Sequence, residues 1–390
     1  MASAPVCAPA DGVNPCVPES PSGAYKILLF DASCDAEESS DSAFATWTHN
    51  AVPSAVYGDQ WGDASMAIND ADYSTIAYID VDVEGPSGPP GISLFTFPTM
   101  NTVSPISPIG DASSAVQAAI TSGAGKILVV GPATGYPQLS FDGGATFTDA
   151  TGLPSGKSWT QAAFSAGAGA MYVAPLTNST PLYKSVDGLG AVWSPLSASP
   201  LVSYPASNIT GRGGRLRTDT TGQVVAAWVG YSNHGVTTAS LWVSTDGGAT
   251  THSSTDFTTM MSAGTPEFSD SDFGMSPDGS VMIVGGWFWF PVGGGTPYNL
   301  CWLSLDQGTT WTPVTLPAHP PDPSTGLIPR LNVVNVAPDN QGLFGAYWDT
   351  VAGHQIVDWS TNQGATWSTS DTAPVASIRG QWINGWMLPN

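Results

Sequence analysis

The chain has 390 residues, 31 of them acidic and 9 basic, for a formal charge of −22; 42 % are hydrophobic, with 15 Trp, 11 Tyr and 13 Phe. So few lysines and arginines cannot build a phosphate-neutralising surface, which excludes nucleic acid and disfavours an anionic membrane face. The apolar content is enough for a sizeable core, which argues against disorder, and no apolar run approaches the roughly 20 residues of a spanning helix.

At the N-terminus no charged n-region and apolar h-region follow Met1, so no secretory signal is expected in this chain. An outward route is then either a signal already removed or one of the kind virion proteins use. Cys7 and Cys16 bracket a proline-containing octapeptide within a tail of residues 1–21. A small structural disulfide in an oxidising compartment is expected there, with free buried thiols as the alternative. Cys34 and Cys301 leave the connectivity open, and no Cys-x-x-Cys suggests zinc. Across the whole chain helix formers are scarce, with 5 Glu and 4 Lys, while Thr, Ser, Val, Gly and aromatic residues suit short strands and tight turns. The first strands are expected at Ala24–Phe30 and Phe44–Trp47, then at Ser74–Asp80 and Ile92–Phe97.

From residue 140 one pattern recurs five times: Ser, any, Asp, any, Gly, any, Thr, aromatic. Its copies are Ser140–Phe147, Ser185–Trp193 with one extra residue, Ser244–Thr251 without the aromatic, Ser304–Trp311, and Ser360–Trp367 with Asn for Asp. Each reads as a hairpin turn with its own cap. The side chain of Asp142, Asp187, Asp246, Asp306 or Asn362 accepts backbone N–H groups, and the Gly two positions later permits positive φ. Thr and the ring then open the next strand.

This pattern resembles the Asp-box, or bacterial neuraminidase repeat, of sialidases, family-74 xyloglucanases and sortilin-type receptors. The resemblance implies an all-β β-propeller in which these aspartates serve folding. The capping positions are 45, 59, 60 and 56 residues apart, a spacing that fits seven four-stranded blades in one domain, 22–390. A six-bladed ring with residues 1–60 as a cap is the alternative. Gln381–Met387 reads as a first strand with no unit after it, and Tyr25–Phe30 as a second strand with none before it. The last strand is therefore expected to pair with the first and close the ring.

In the resembling families the Asp-box turns face away from the active face. Any site then lies on loops joining second and third strands, or on those leading into first strands: residues 31–43, 57–63, 84–91, 208–217, 231–238, 264–272, 287–299, 325–330, 349–354 and 378–382. The run Trp287-Phe-Trp289-Phe, with Tyr298, offers rings for stacking on sugars or for plain packing, and strand alternation would expose one side of it. Trp61 and Trp159 stand under the same two readings. Glycoside hydrolysis requires two carboxylates, and the candidates are Asp59 and Asp63 on one side of the mouth with Glu267, Asp270 and Asp272 on the other. Turn caps or solvated loop charges are the competing reading.

Resemblance to sialidases implies three arginines around a substrate carboxylate. Arg212, Arg330 and Arg379 precede first strands, but no Arg-Ile-Pro occurs and no nucleophile can be assigned. No cofactor is expected; clustered Asp oxygens leave calcium open without a full calcium-loop motif. The five histidines show no metal spacing. Three functions compete. The first is a non-catalytic glycan-binding or attachment propeller outside the cell, or exposed on a virion or cell surface. The second is a glycoside hydrolase or polysaccharide lyase, and the third a structural surface module whose N-terminal tail meets a protein partner. The first is preferred.

Overall fold

A computed structural model describes the backbone of the strands between Tyr25 and Pro389. It describes the side chains of most of residues 119–369, apart from 120–124, 131–135, 158, 160, 166–168, 176–180, 186, 198–214, 230–238, 261–270, 289–297, 322, 325 and 348–355. Among the described residues the strands pair into seven four-stranded antiparallel sheets, and the one helical element is a single 3-10 turn, Phe257–Met260. Six sheets are continuous in sequence. The first instead joins Tyr25–Asp31, Asp35–Ser39 and Trp47–Ala51 to the C-terminal strand Trp382–Pro389. Tyr25 lies opposite Pro389 and Asp31 opposite Trp382, with a bulge between Phe30 and Asp31.

The sheets stack in chain order. The leading strands Ser65–Ile68, Gln117–Ile120, Trp159–Phe164, Gly214–Thr218, Glu267–Met275 and Arg330–Val336 each lie against the next, and Trp382–Pro389 touches both the last and the first of them. Among the described residues the inner strands of a sheet are covered on both faces and are apolar on both, while outer strands such as Thr148–Asp149 and Thr312–Pro313 are exposed. Ile127–Val130 and Met171–Pro175 are buried at every residue. The layer between the fifth and sixth sheets centres on Phe257, whose ring meets Trp228, Trp302 and Trp311 at 5.0–5.6 Å. Such tilted aromatic pairs add about 0.5–1.5 kcal/mol each beyond their burial.

The recurring turns have one geometry. Asp142 Oδ1 accepts from Ser140 Oγ and Thr146 N, both at 2.9 Å, Oδ2 accepts from Thr146 Oγ1 at 2.6 Å, and Gly144 N donates to Ser140 Oγ at 2.8 Å. Asp246 and Asp306 repeat these bonds. Asn362 keeps the Oδ1 contacts but donates from Nδ2 to Thr366 Oγ1 at 2.9 Å. Asp187, in the copy with the extra residue, takes four backbone N–H groups, from Leu189 to Val192. The hydroxyl and amide of Thr146 and Thr250 hold Asp142 and Asp246 down at about 2. Burial pushes Asp187 upward, but its hydrogen bonds prevail and it too sits at about 2. The glycine is left-handed as the pattern requires, with φ of 87° at Gly144 and 79° at Gly308.

Contacts between sheets stitch this rim together. Lys126 Nζ donates to Gly188 O and Lys184 Nζ to Gly247 O, each reaching the turn of the next sheet. Tyr172 donates its hydroxyl to Gly222 O at 3.0 Å, and Asn340 Nδ2 donates to Asp278 Oδ2 at 2.7 Å.

Several element boundaries differ from expectation. Asp35–Ser39 is a strand rather than part of a 31–43 loop, and the next strand is Trp47–Ala51 rather than Phe44–Trp47. The sequence Asp-Ala-Glu-Glu-Ser has poor strand propensity, and pairing on both edges overrides it. The 231–238 loop contracts to the two residues between Val225–Asn233 and Val236–Ser244. Glu267–Asp272 likewise belongs to a leading strand, not to the segment before it.

Candidate functional site

Antiparallel order puts the first-to-second and third-to-fourth turns of each sheet at one end. The second-to-third hairpins and the segments leading into first strands share the other. At that loop end, between the sixth and seventh sheets, three described side chains converge. Arg330 opens the strand Arg330–Val336, and its guanidinium sits over the Trp287 ring, 4.5 Å from the centroid. Trp287 lies near the end of Met282–Trp289, whose hairpin returns as Tyr298–Ser304. Asn299 joins the two sheets: its Nδ2 donates to Pro329 O at 2.9 Å, and its Oδ1 accepts from Leu331 N at 3.0 Å. The backbone on both sides of Arg330 is therefore held by one amide.

Phe288 and Tyr298 face each other across the hairpin and stack at 6.0 Å with an interplanar angle of 24°. Burial pushes the Tyr298 hydroxyl pKa upward, so it stays a neutral phenol. The aromatic run was expected to bury one side and expose the other, but Trp287 and Phe288 are both buried, at 5 % and 1 % exposure. Alternation here chooses which neighbouring sheet a ring meets. Phe288 joins the layer toward the fifth sheet, and Trp287 lies under Arg330 of the seventh. Trp287 is thus a platform for a guanidinium rather than a shelf for sugar. Arg330 is half-buried, and no ion pair joins it to a carboxylate among the described residues; its guanidinium carries five N–H donors.

The other predicted residues separate. Trp159 is 1 % exposed, edge-on to Tyr183 at 5.6 Å, and part of the core; its ring has no free face for a glycan. Asp272 is also engaged by neighbouring strands. It is buried on the leading strand of the sixth sheet, 2.8 Å from Arg215 Nε on the leading strand of the fifth, and its other oxygen accepts Val334 N at 3.4 Å. Three leading strands meet at this carboxylate, which acts as a structural ion pair.

Glu267 pairs in register with Trp289, and Asp270 with Trp287, across a bulge between Phe268 and Asp270. The side chains of Glu267, Asp270 and Trp289 lie outside the described residues, as do Asp59, Trp61, Asp63, Arg212, Arg379 and the Cys7–Cys16 pair. Cys301 is free and buried, its thiol pKa pushed well up by desolvation. Among the described residues no three His, Cys, Asp or Glu side chains gather as a metal site.

Sequence reasoning missed two residues. Asn299 sits in a hairpin chosen for its rings, and nothing in its neighbours marks it. His319 lies in the connector 314–329 and bonds Asp358 Oδ2 at 2.8 Å through Nε2. The Pro320-Pro321 pair after it was the available signal of an immobilised histidine.

No protein-family model matches this chain, and no curated protein does. Among solved structures the chain is similar to the GH74 xyloglucanase from Xanthomonas campestris, with a TM-score of 0.59 and 16 % identity, covering 93 % of this chain and 52 % of that one. A GH74 enzyme from Niastella koreensis gives a TM-score of 0.53 and 13 % identity, with coverage of 93 % and 66 %. The β-propeller domain of Cps50 (Swd1) from Myceliophteria thermophila gives 0.54 and 7 %, with 87 % and 96 % covered. The chain spans about half the length of the xyloglucanase. At these identities the likeness establishes an all-β propeller fold and nothing of the chemistry.

Proposed function

We propose that the chain is a seven-bladed Asp-box propeller, closed by its terminal strands, that binds glycan on its loop face without cleaving it. The seven four-stranded sheets, the Tyr25–Pro389 register and the contact of each leading strand with the next support the ring. The repeated Ser-Asp-Gly-Thr turns support the Asp-box assignment. The observation that carries the binding reading is Arg330, braced over Trp287 and pinned on both flanks by Asn299, with its N–H donors uncommitted to any described carboxylate. Such a group donates to sugar hydroxyls or carboxylates at little entropic cost, since its backbone and platform are already ordered. A non-catalytic role is supported by Asp272, which is spent on Arg215. The acidic, lysine-poor composition suits a salt-tolerant surface outside the cell or on a virion or cell surface.

A glycan-array screen, followed by reducing-end release assays on the hits, tests this. Binding without release is expected, and Arg330→Ala should weaken it at least roughly tenfold while the protein melts like the parent. Sugar release that Asp270→Asn abolishes would establish a hydrolase instead.

A further inference from the structure

We infer that His319 is a positioning residue for Arg330: through Asp358 it anchors the proline-rich connector that delivers the guanidinium to the loop face. The inference rests on Arg330 being a glycan contact, as proposed above.

The connector, residues 314–329, runs from the outer strand of the sixth sheet to the leading strand of the seventh. Val314 N donates to Cys301 O at 2.9 Å, and Val314 and Leu316 pack on the apolar layer between the two sheets. The next anchor is His319. Its ring is buried, with 8 % side-chain exposure, stands edge-on to Tyr347 at 4.6 Å, and bonds Asp358, whose side chain is fully buried. Asp358 is itself fixed, because Thr369 Oγ1 donates to its Oδ1 at 2.6 Å. His319 therefore ties the connector to three strands of the seventh sheet: Tyr347, Asp358 and Thr369 lie on its second, third and fourth.

Between this anchor and Arg330 the chain carries Pro320, Pro321, Pro323 and Pro329. Proline fixes φ and restricts the residue before it, so the chain is stiffened at both ends of the segment, beside His319 and beside Arg330, with a left-handed Gly326, φ 70°, between them. Asn299 receives that end by holding Pro329 O and Leu331 N. The His319–Asp358 contact ties the middle of the connector to the third strand of the seventh sheet. It defines where the segment starts, and hence where Arg330 lands over Trp287.

The test measures affinity for the best array glycan in His319→Ala, Arg330→Ala and the double variant, with melting temperatures and hydrogen-exchange protection of residues 314–331. A core variant far from the site, Trp159→Phe, controls for general destabilisation. The expected result is a loss of roughly tenfold in His319→Ala, reduced protection confined to the connector, no change in Trp159→Phe, and no further loss when His319→Ala is added to Arg330→Ala. His319→Gln, which keeps an N–H donor for Asp358, should restore binding. His319→Phe, which keeps a ring over Tyr347 without the bond, should not, and this pair decides the matter if the alanine variant folds poorly. Unchanged affinity in His319→Ala and His319→Phe, or additive losses in the double variant, overturns the inference. An Arg330→Ala protein that binds like the parent overturns the glycan reading itself.

Discussion

Replacing Arg215 with Ala strands the Asp272 carboxylate in a place where water cannot replace the lost partner. The side chain of Asp272 is 4 % exposed and that of Arg215 12 %, their contact is 2.8 Å, and the remaining bond to Asp272, from Val334 N, is long at 3.4 Å. An uncompensated buried carboxylate must either keep its charge without solvation or take up a proton. Breaking such pairs costs about 3–5 kcal/mol, whereas exchanging both partners for apolar groups of similar volume is near neutral. Arg215→Ala should therefore lower stability by about 3–5 kcal/mol, and Arg215→Met with Asp272→Leu should recover most of it. Arg215 has further interactions, so the paired variant isolates the contribution of the ion pair. Urea titration followed by circular dichroism and fluorescence measures this, with coincident transitions as the condition for reading a free energy. A loss below about 1 kcal/mol in Arg215→Ala would refute the reasoning. So would an Asp272→Asn protein that melts like the parent yet loses a glycan-cleaving activity, since Asp272 would then be chemical rather than structural.

Three further outcomes follow from the turns and the inner strands. Gln307 holds a left-handed φ of 57° where three other copies place glycine, and its backbone N–H already bonds Ser280 O. Gln307→Gly should raise stability by about 0.5–1 kcal/mol in thermal melts; Gln363→Gly should gain less, because the Gln363 side chain donates to Asn340 O. A Cβ on Gly274 would stand 2.6 Å from the Asn335 Cα of the next leading strand, so Gly274→Ala should cost about 1–3 kcal/mol, and a melting temperature equal to the parent's would contradict the close approach of these strands. Asp142, Asp187 and Asp246 sit at about 2, below the usual 3.8, so their contribution is complete above pH 4 and lost as pH falls toward 2. Melting temperature should hold down to pH 4 and drop below it, and carboxyl NMR titrations of these residues should show midpoints near 2.

The turns were legible because their chemistry is local. Ser, Asp and Gly at fixed offsets, with Thr in four of the copies, make the cap's own hydrogen bonds within eight or nine residues, so the pattern reads off the chain five times although neighbouring sheets add further contacts. The pairing of Tyr25–Asp31 with Trp382–Pro389 was legible for a related reason: each terminal segment carries strand chemistry without a partner of its own. What only the tertiary structure decided is which neighbour each side chain meets. Trp159 and Trp287 look like any exposed aromatic until sheets close over both faces, and Asp272 reads as a loop acid until Arg215 arrives from 57 residues away. The anchoring of Arg330 by Asn299, and of its connector by His319 on Asp358, spans 32 and 39 residues. Contacts at that range depend on the stacking of sheets, which strand periodicity does not encode.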